Sequence, residues 1–176
     1  DNELSGHLAA RELLRGGCRR PALIEARADS PITRLRTRGF VDELAGAGVA
    51  LDEGNVKSSA VTSFERGHAL VSELIEEGRE FDGVFCQADW LAMGALEALR
   101  EHGLSVPGDV CVVGHDDISI ARFGRPPITT VRQEPGMLGR RAAELLVQMM
   151  AGQAPEEQRT TVPVKLVCRE STRTAR

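Results

Sequence analysis

Residues 82–116 read DGVFCQADWLAMGALEALREHGLSVPGDVCVVGHD, and they decide the fold. Two short apolar segments, Asp82–Gln87 and Asp109–His115, enclose a segment with helical spacing that begins at Asp89 and ends at Gly103. Short apolar runs without polar alternation are typical of strands that a parallel sheet buries on both faces. A strand, a helix and a second parallel strand form a right-handed crossover, so this stretch predicts one unit of an α/β fold.

The same alternation of strand and helix runs through the residues before this stretch. It predicts an α/β fold with an open, mostly parallel sheet and helices on both faces. The predicted elements are a helix Ser5–Arg15, a strand Ala22–Ala26, a helix from Ser30 to about Ala45, a strand Val56–Val61 and a helix from Phe64 to Gly78.

The alternation breaks after Asp116. The sequence there predicts a strand Ile128–Val131, a helix Pro135–Ala151, a polar turn at Glu156–Gln158, a last strand near Val162–Cys168 and a frayed tail after Thr172. The helix has an apolar face that its own charged neighbours are too few to cover, formed by Leu138, Ala142, Leu145, Leu146 and Met149. We therefore expect the chain to dimerise through that face or to pack it against a neighbouring molecule.

Composition narrows the possible functions. The chain has 176 residues, 41% of them hydrophobic and 27% charged, which fits a soluble globular protein of little more than one domain. A net charge of −4, with only two lysines, argues against direct nucleic-acid binding, which needs basic residues to contact phosphates. No apolar run is long enough for a membrane span, and no secretory signal is visible. Asp1 stands where an initiator Met would be, so we expect the chain to have been processed or cut from a longer one.

Four cysteines without a CxxC pair indicate reduced thiols in a cytoplasmic protein, with no metal site. No GxSxG, P-loop or GxGxxG motif occurs, so we expect no enzyme activity and no cofactor. His115 lies beside Asp116, but neighbouring strand residues point to opposite faces, which argues against a paired acid–base or metal site.

Ligands of open parallel sheets bind beyond the carboxyl ends of the strands. The residues just past the predicted strand ends include Arg36, Asp89, Trp90, Asp116 and Asp117. Guanidinium donors and carboxylate acceptors on one edge suit a neutral polyol, and the Trp90 ring could stack on it or only shield the helix. Simpler interpretations are that Asp89 caps its helix and that Asp117 is a solvated turn residue.

Six motifs in this order resemble the effector domain of LacI/GalR-type transcriptional repressors. They are Arg36–Phe40 (RTRGF), Asp89–Leu96 (DWLAMGAL), Gly103–Val110 (GLSVPGDV), Val112–Ile118 (VVGHDDI), Pro126–Gln133 (PPITTVRQ) and Leu166–Thr172 (LVCREST). The resemblance implies a bilobed, periplasmic-binding-protein-like fold of type I that holds a small-molecule effector, a sugar, between its lobes. It also implies a homodimer that reaches operator DNA only through an N-terminal helix-turn-helix region missing here, with no membrane partner.

The resemblance also divides the chain and assigns its site. Residues 1–132 match the C-terminal lobe, 133–158 a helix of the N-terminal lobe, and 159–176 the closing strand and tail. Arg36 matches the arginine that grips the effector, Asp116 the carboxylate that accepts from its hydroxyls, and Gln133 a glutamine in the crossover between lobes. Asp89 completes the predicted effector-binding set. Ala88 departs from the family, which often has Asn or Ser there, so its identity is expected to tune the choice of effector.

Two other classes share parts of this pattern. A sugar-binding component of an ABC transporter has the same fold, but it would carry a secretory signal upstream and usually lacks the Pro126–Gln133 motif. Four unpaired cysteines would also be awkward in an exported protein. An enzyme of flavodoxin-like architecture would need a phosphate-cradling loop, which is absent from the sequence.

Overall fold

The computed structural model describes residues 1–153 and 160–173. The described residues form a six-stranded sheet of order β2-β1-β3-β4-β5-β6 with five helices. The bounds are α1 Asn2–Arg15, β1 Pro21–Ala26, α2 Pro31–Gly46, β2 Val56–Ser59, α3 Phe64–Glu76, β3 Gly83–Cys86, α4 Asp89–Glu101, β4 Cys111–Asp116, β5 Thr129–Arg132, α5 Pro135–Met150 and β6 Lys165–Val167.

The sheet is parallel from β2 through β5, and only β6 runs antiparallel, pairing Val167 with Thr130 and Lys165 with Arg132. The predicted fold class is therefore confirmed: an open, mostly parallel sheet with helices. The strands are a residue or two shorter than predicted at several ends, where the chain turns into loops. The polar turn predicted at 156–158 lies outside the described residues.

The predicted fraying after Thr172 is wrong at Arg173. Its guanidinium donates to the carbonyl oxygens of Gly16 (3.1 Å) and Pro107 (2.9 Å), so the residue is anchored across two loops. Residues 174–176 lie outside the described part of the chain.

Side chains alternate between the two faces of the central strands, and each face has its own core. Ile24, Val84 and Val112 point toward α3 and α4, whereas Phe85 and Val113 point toward α1 and α2. All five side chains are fully buried. Burial on both faces is the reason that these strands read as continuous apolar runs in the sequence.

Helices α1 and α2 approach each other closely through glycines. A β-carbon on Gly6 would lie 2.0 Å from the carbonyl oxygen of Arg36, and one on Gly39 would lie 2.0 Å from that of Glu3. No larger residue fits at either position without moving a backbone. This contact brings the first turn of α1, with Asn2, directly beside Arg36 of α2.

Strand β4 ends in a sharp turn. Asp116 and Asp117 both have positive φ values, 108° and 54°, which non-glycine residues rarely adopt. The Asp117 carboxylate is buried and accepts hydrogen bonds from Arg132 at the end of β5 and from Arg169 (2.5 Å). The interpretation of Asp117 as a solvated turn residue is therefore wrong, because three chain segments meet over its side chain.

Helix α5 ends one residue before its predicted limit and has no buried residue. Leu138, Leu146 and Met149 of the predicted apolar face are each more than half exposed. The face is therefore open along the described helix and is not folded back onto the sheet. Several apolar side chains in water cost a sizeable part of a domain's stability, so this surface favours contact with another molecule.

Replacement of Asp117 by Asn should lower the free energy of unfolding by about 2 kcal/mol, because it leaves two partly buried guanidinium groups without a charged acceptor. Burial alone would raise the pKa of Asp117, but hydrogen bonds from Arg169 and Arg132 outweigh it and lower the pKa. The difference in the free energy of unfolding between the unaltered chain and Asp117→Asn should thus be fully present above about pH 4. It should disappear as the pH falls below that value. Urea unfolding from pH 3 to 7 measures this, with the exposed Asp42→Asn as the control; equal stabilities for both variants would contradict it.

Expressed by themselves, these 176 residues should self-associate through the apolar face of α5. Leu146→Lys should weaken the association at least several-fold, because it places a charge within that face. Gln148→Lys adds the same charge on the same helix and should leave the association nearly unchanged. Sedimentation equilibrium over a range of concentrations gives the constants. A monomer at high concentration, or equal effects of both substitutions, would show that α5 does not mediate contact.

Candidate functional site: a cleft at the carboxyl edge of the sheet

A cleft of about 640 Å³ opens at the carboxyl ends of β4 and β5. It lies between the first turns of α1 and α5, and residues 160–164 close one side. Asn2, Leu35, Asp116, Gln133 and Leu138 are among the residues that line it. The volume lies within the range of small-molecule sites, and the position is the one at which open α/β sheets bind ligands.

Asp116 is the central polar group of the cleft. It ends β4, and about a third of its side chain is exposed. Its Oδ1 accepts a hydrogen bond from Gln133 Nε2 (2.6 Å) and contacts His115 Nδ1 at 2.8 Å. Two of the residues predicted to bind the effector, Asp116 and Gln133, are thus joined directly in the structure.

The contact between His115 and Asp116 corrects the argument that they point to opposite faces. That argument assumes extended backbone at both residues. Asp116 instead has a φ of 108°, which turns its side chain back toward the His115 ring. His115 is fully buried on the face covered by α1 and α2, on the side of β4 that also carries Val113.

Arg36 lies just beneath the lining of the cleft. Its Nε donates to Asn2 Oδ1 (3.0 Å) and its Nη1 to the carbonyl oxygen of Gln87 (3.1 Å). Burial lowers the pKa of Arg36, and the nearby Asp116 carboxylate opposes this shift. The structure therefore brings Arg36 and Asp116 to the same end of the sheet, with Arg36 holding Asn2 in the wall of the cleft.

Asp89 lies away from the cleft. It is fully buried, and its carboxylate accepts from Thr130 Oγ1 (2.6 Å) and from the backbone N–H of Ile118 (2.8 Å). It is the first residue of α4, whose N-cap is Ala88, so the capping interpretation of Asp89 is wrong. Burial raises the pKa of Asp89 to about 7. This carboxyl group joins α4 to β5 and to the segment after β4.

Two neighbours of Asp89 also lie outside the lining of the cleft. Ala88 is buried in the core beneath α4, and Trp90 is on the surface with 43% of its area exposed. Arg34 and Arg38, on the same helix as Arg36, are exposed. Sequence reasoning missed Asn2 and Gln87, because a polar residue in a helical first turn or at a strand end gives no signal of its own.

The described part of the chain contains no cluster of three or more His, Cys, Asp or Glu that could hold a metal ion. The four cysteines are free thiols. None of the helices within residues 1–153 and 160–173 is long and apolar enough to cross a membrane.

A family model described as a periplasmic binding protein-like domain matches residues 10–172, so the chain belongs to this family. The relatives of this chain are transcriptional regulators. It is 36% identical to the HTH-type transcriptional regulator CelR of Thermobifida fusca over 97% of this chain, and 31% identical to the ribose operon repressor of Haemophilus influenzae over 96%. The chain spans 50% of the length of each of these two relatives.

Solved structures agree. A CelR–cellobiose complex superposes with a TM-score of 0.91 at 35% identity, covering 97% of this chain and 52% of that one. The lac repressor dimer bound to operator and the anti-inducer ONPF gives a TM-score of 0.91 at 28% identity, covering 98% and 59%. The resemblance to LacI/GalR-type regulators, first drawn from six sequence motifs, is thereby confirmed.

Asp89 should make stability fall as the pH rises. Its pKa in the folded chain, about 7, lies above the ordinary value near 3.9, so between these values the folded state binds more protons than the unfolded state. The free energy of unfolding should drop by about 2 kcal/mol more between pH 5 and pH 8 in the unaltered chain than in Asp89→Asn. Asn can keep both contacts, because the Thr130 hydroxyl can accept instead of donate.

Chemical unfolding at several pH values measures this slope. The exposed Asp29→Asn serves as the control and should follow the unaltered chain. Parallel pH profiles for Asp89→Asn and the unaltered chain would contradict the assignment.

Proposed function

We propose that this chain is the effector-binding part of a LacI/GalR-type transcriptional repressor. A neutral sugar binds in the cleft at the carboxyl edge of the sheet, and its binding changes the affinity of the attached DNA-binding region for operator DNA. The observation that carries the proposal is the joined pair of Asp116 and Gln133 in a cleft of sugar-sized volume. The regulators among the relatives support the same function.

The chemistry of the cleft favours a neutral ligand. None of the described residues that line it is a lysine or an arginine, whereas four acidic residues contribute carboxyl groups, Asp1, Glu3, Asp116 and Glu134. Such a lining repels phosphate and carboxylate groups and accepts hydrogen bonds from hydroxyl groups. Cellobiose in the complex of the relative CelR is a ligand of this class.

The arrangement of the whole protein is part of the proposal. Residues 1–132 form the C-terminal lobe, 133–158 supply a helix to the N-terminal lobe, and 159–176 close the chain. The protein acts as a homodimer in the cytoplasm, reaches operator DNA through a region outside these residues, and is not an enzyme. Relatives named as transcriptional regulators, and solved structures of dimeric lac repressor, support this arrangement. They give no support to the ABC-transporter alternative.

Asp116→Asn tests the site in the protein at its full encoded length. The substitution replaces the charged acceptor by an amide, so binding of a hydroxylated ligand should weaken at least tenfold. Calorimetric titration with cellobiose, D-glucose and D-ribose first identifies a sugar that binds, and the variant is then titrated with that sugar. Operator mobility shifts with and without the sugar measure the coupled response.

The control is the exposed Asp29→Asn, which removes a carboxylate away from the cleft and should bind as the unaltered protein does. Unchanged affinity of the Asp116→Asn variant would exclude this cleft as the effector site. A protein that binds none of the sugars would contradict the proposed class of ligand.

A further inference from the structure

The two oxygens of the Asp116 carboxylate have different surroundings. Oδ1 contacts both Gln133 Nε2, at 2.6 Å, and His115 Nδ1, at 2.8 Å. Two partners occupy the two lone pairs of this oxygen. Oδ2 has no hydrogen-bond partner among the described residues, and it belongs to a side chain that lines the cleft. The carboxylate therefore offers a ligand one free oxygen, at a position that its two neighbours fix.

We propose that His115 is a positioning residue for effector binding: its ring holds Oδ1 of Asp116 so that Oδ2 faces a hydroxyl group of the ligand. This proposal rests on the proposed function, and it names the residue beneath the site that orients the binding carboxylate. His115 itself is fully buried and does not line the cleft, so it acts only through Asp116.

The hydrogen bonding of the ring indicates its protonation state. A carboxylate can only accept, so Nδ1 must carry the proton in this contact. Nε2 is buried and has no hydrogen-bond partner among the described residues. A proton on Nε2 would therefore be an unpaired buried donor. Burial lowers the pKa of His115, and the nearby Arg36 guanidinium acts in the same direction, against Asp116. The ring is therefore neutral, with its proton on Nδ1.

An orphaned ring nitrogen argues that His115 is more than a packing residue. An apolar side chain of similar size would fill the same space without leaving Nε2 unpaired in the interior, which is unfavourable. The only hydrogen bond that the ring makes within the described residues is the one to Asp116. The cost of burying an imidazole here is thus offset by a contact with the central polar group of the cleft.

The Asp116 carboxylate needs such a support because its second oxygen, Oδ2, has no hydrogen-bond partner among the described residues. Asp116 is the last residue of β4, its φ of 108° departs from extended backbone, and a third of its side chain is exposed. A carboxylate that rotates freely loses conformational entropy when a ligand binds, whereas one already held does not. Two donors on a single oxygen fix the plane of the group before the ligand arrives.

The test uses three variants of the protein at its full encoded length, titrated with the sugar found to bind in the calorimetric screen. His115→Phe keeps the size of the ring and removes the donor, so affinity should fall about tenfold. His115→Asn places an amide N–H near the position of Nδ1 and should bind within about threefold of the unaltered protein. In an Asp116→Ala background, which has no side-chain oxygen for the ring to hold, His115→Phe should cause little further loss.

Two results in these titrations would overturn the proposal. One is His115→Phe binding as well as the unaltered protein. The other is an equal fold-loss from His115→Phe with and without Asp116→Ala, since that would mean His115 acts through packing and not through the carboxylate.

A measurement without ligand separates this proposal from the proposed function. In the unaltered protein labelled with ¹⁵N-histidine, the ring nitrogen shifts of His115 at pH 7.5 should report a neutral ring with the proton on Nδ1. His115→Asn identifies the signal by its loss. A proton on Nε2, or a charged ring, would overturn the positioning role even if sugars bind. If none of the sugars binds, the sugar class is wrong, and the nitrogen shifts still decide whether His115 holds Asp116.

Discussion

The turn after β4 depends on one buried ion pair network. The Asp117 carboxylate accepts from Arg132 at the end of β5 and from Arg169 after β6, so a single side chain fixes three segments that are distant in sequence. Both aspartates of the turn have positive φ, a conformation that is unfavourable for residues other than glycine. The two arginines compensate this cost. With Asp117 held inward, the preceding residue, Asp116, is turned into the cleft.

Three aspartates close to this turn lie in three different environments. Asp89 is enclosed by protein, and its pKa rises to about 7; Asp117 pairs with two arginines, and its pKa falls. Asp116 remains partly open and is held by neutral donors on one oxygen. Burial, charge and hydrogen bonding thus divide one residue type into an internal link, a structural ion pair and a binding group.

The sequence predicted the fold well because its strongest signals are local. Continuous apolar runs and helix caps predict the parallel sheet, and the predicted end of α5 differs from the observed end by one residue. The roles of the acidic residues depend on contacts across 15 to 52 positions, such as Arg132 and Arg169 with Asp117. No local pattern reports these contacts, and for this reason the sequence around Asp117 indicates only a solvated turn. The contact of His115 with Asp116 cannot be read from the sequence, because extended strand geometry ends at Asp116, whose φ is 108°. Asn2 and Gln87 give no signal, since Asn2 meets Arg36 only where α1 crosses α2, and Gln87 meets it only where α2 lies beside the end of β3.

Gln133 gives the cleft a direct connection to α5. It lies between β5 and the helix, and its side chain donates to the same Asp116 oxygen that His115 holds. Glu134, the next residue, pairs with Lys165 of β6 at 2.8 Å, so the entry to α5 is fixed to the sheet at two points. No residue of the helix itself is buried. A ligand that engages Oδ2 of Asp116 therefore acts on a group already bonded to Gln133, between β5 and α5. Under the proposed function, this short path is the part of the chain through which occupancy of the cleft can change the position of α5.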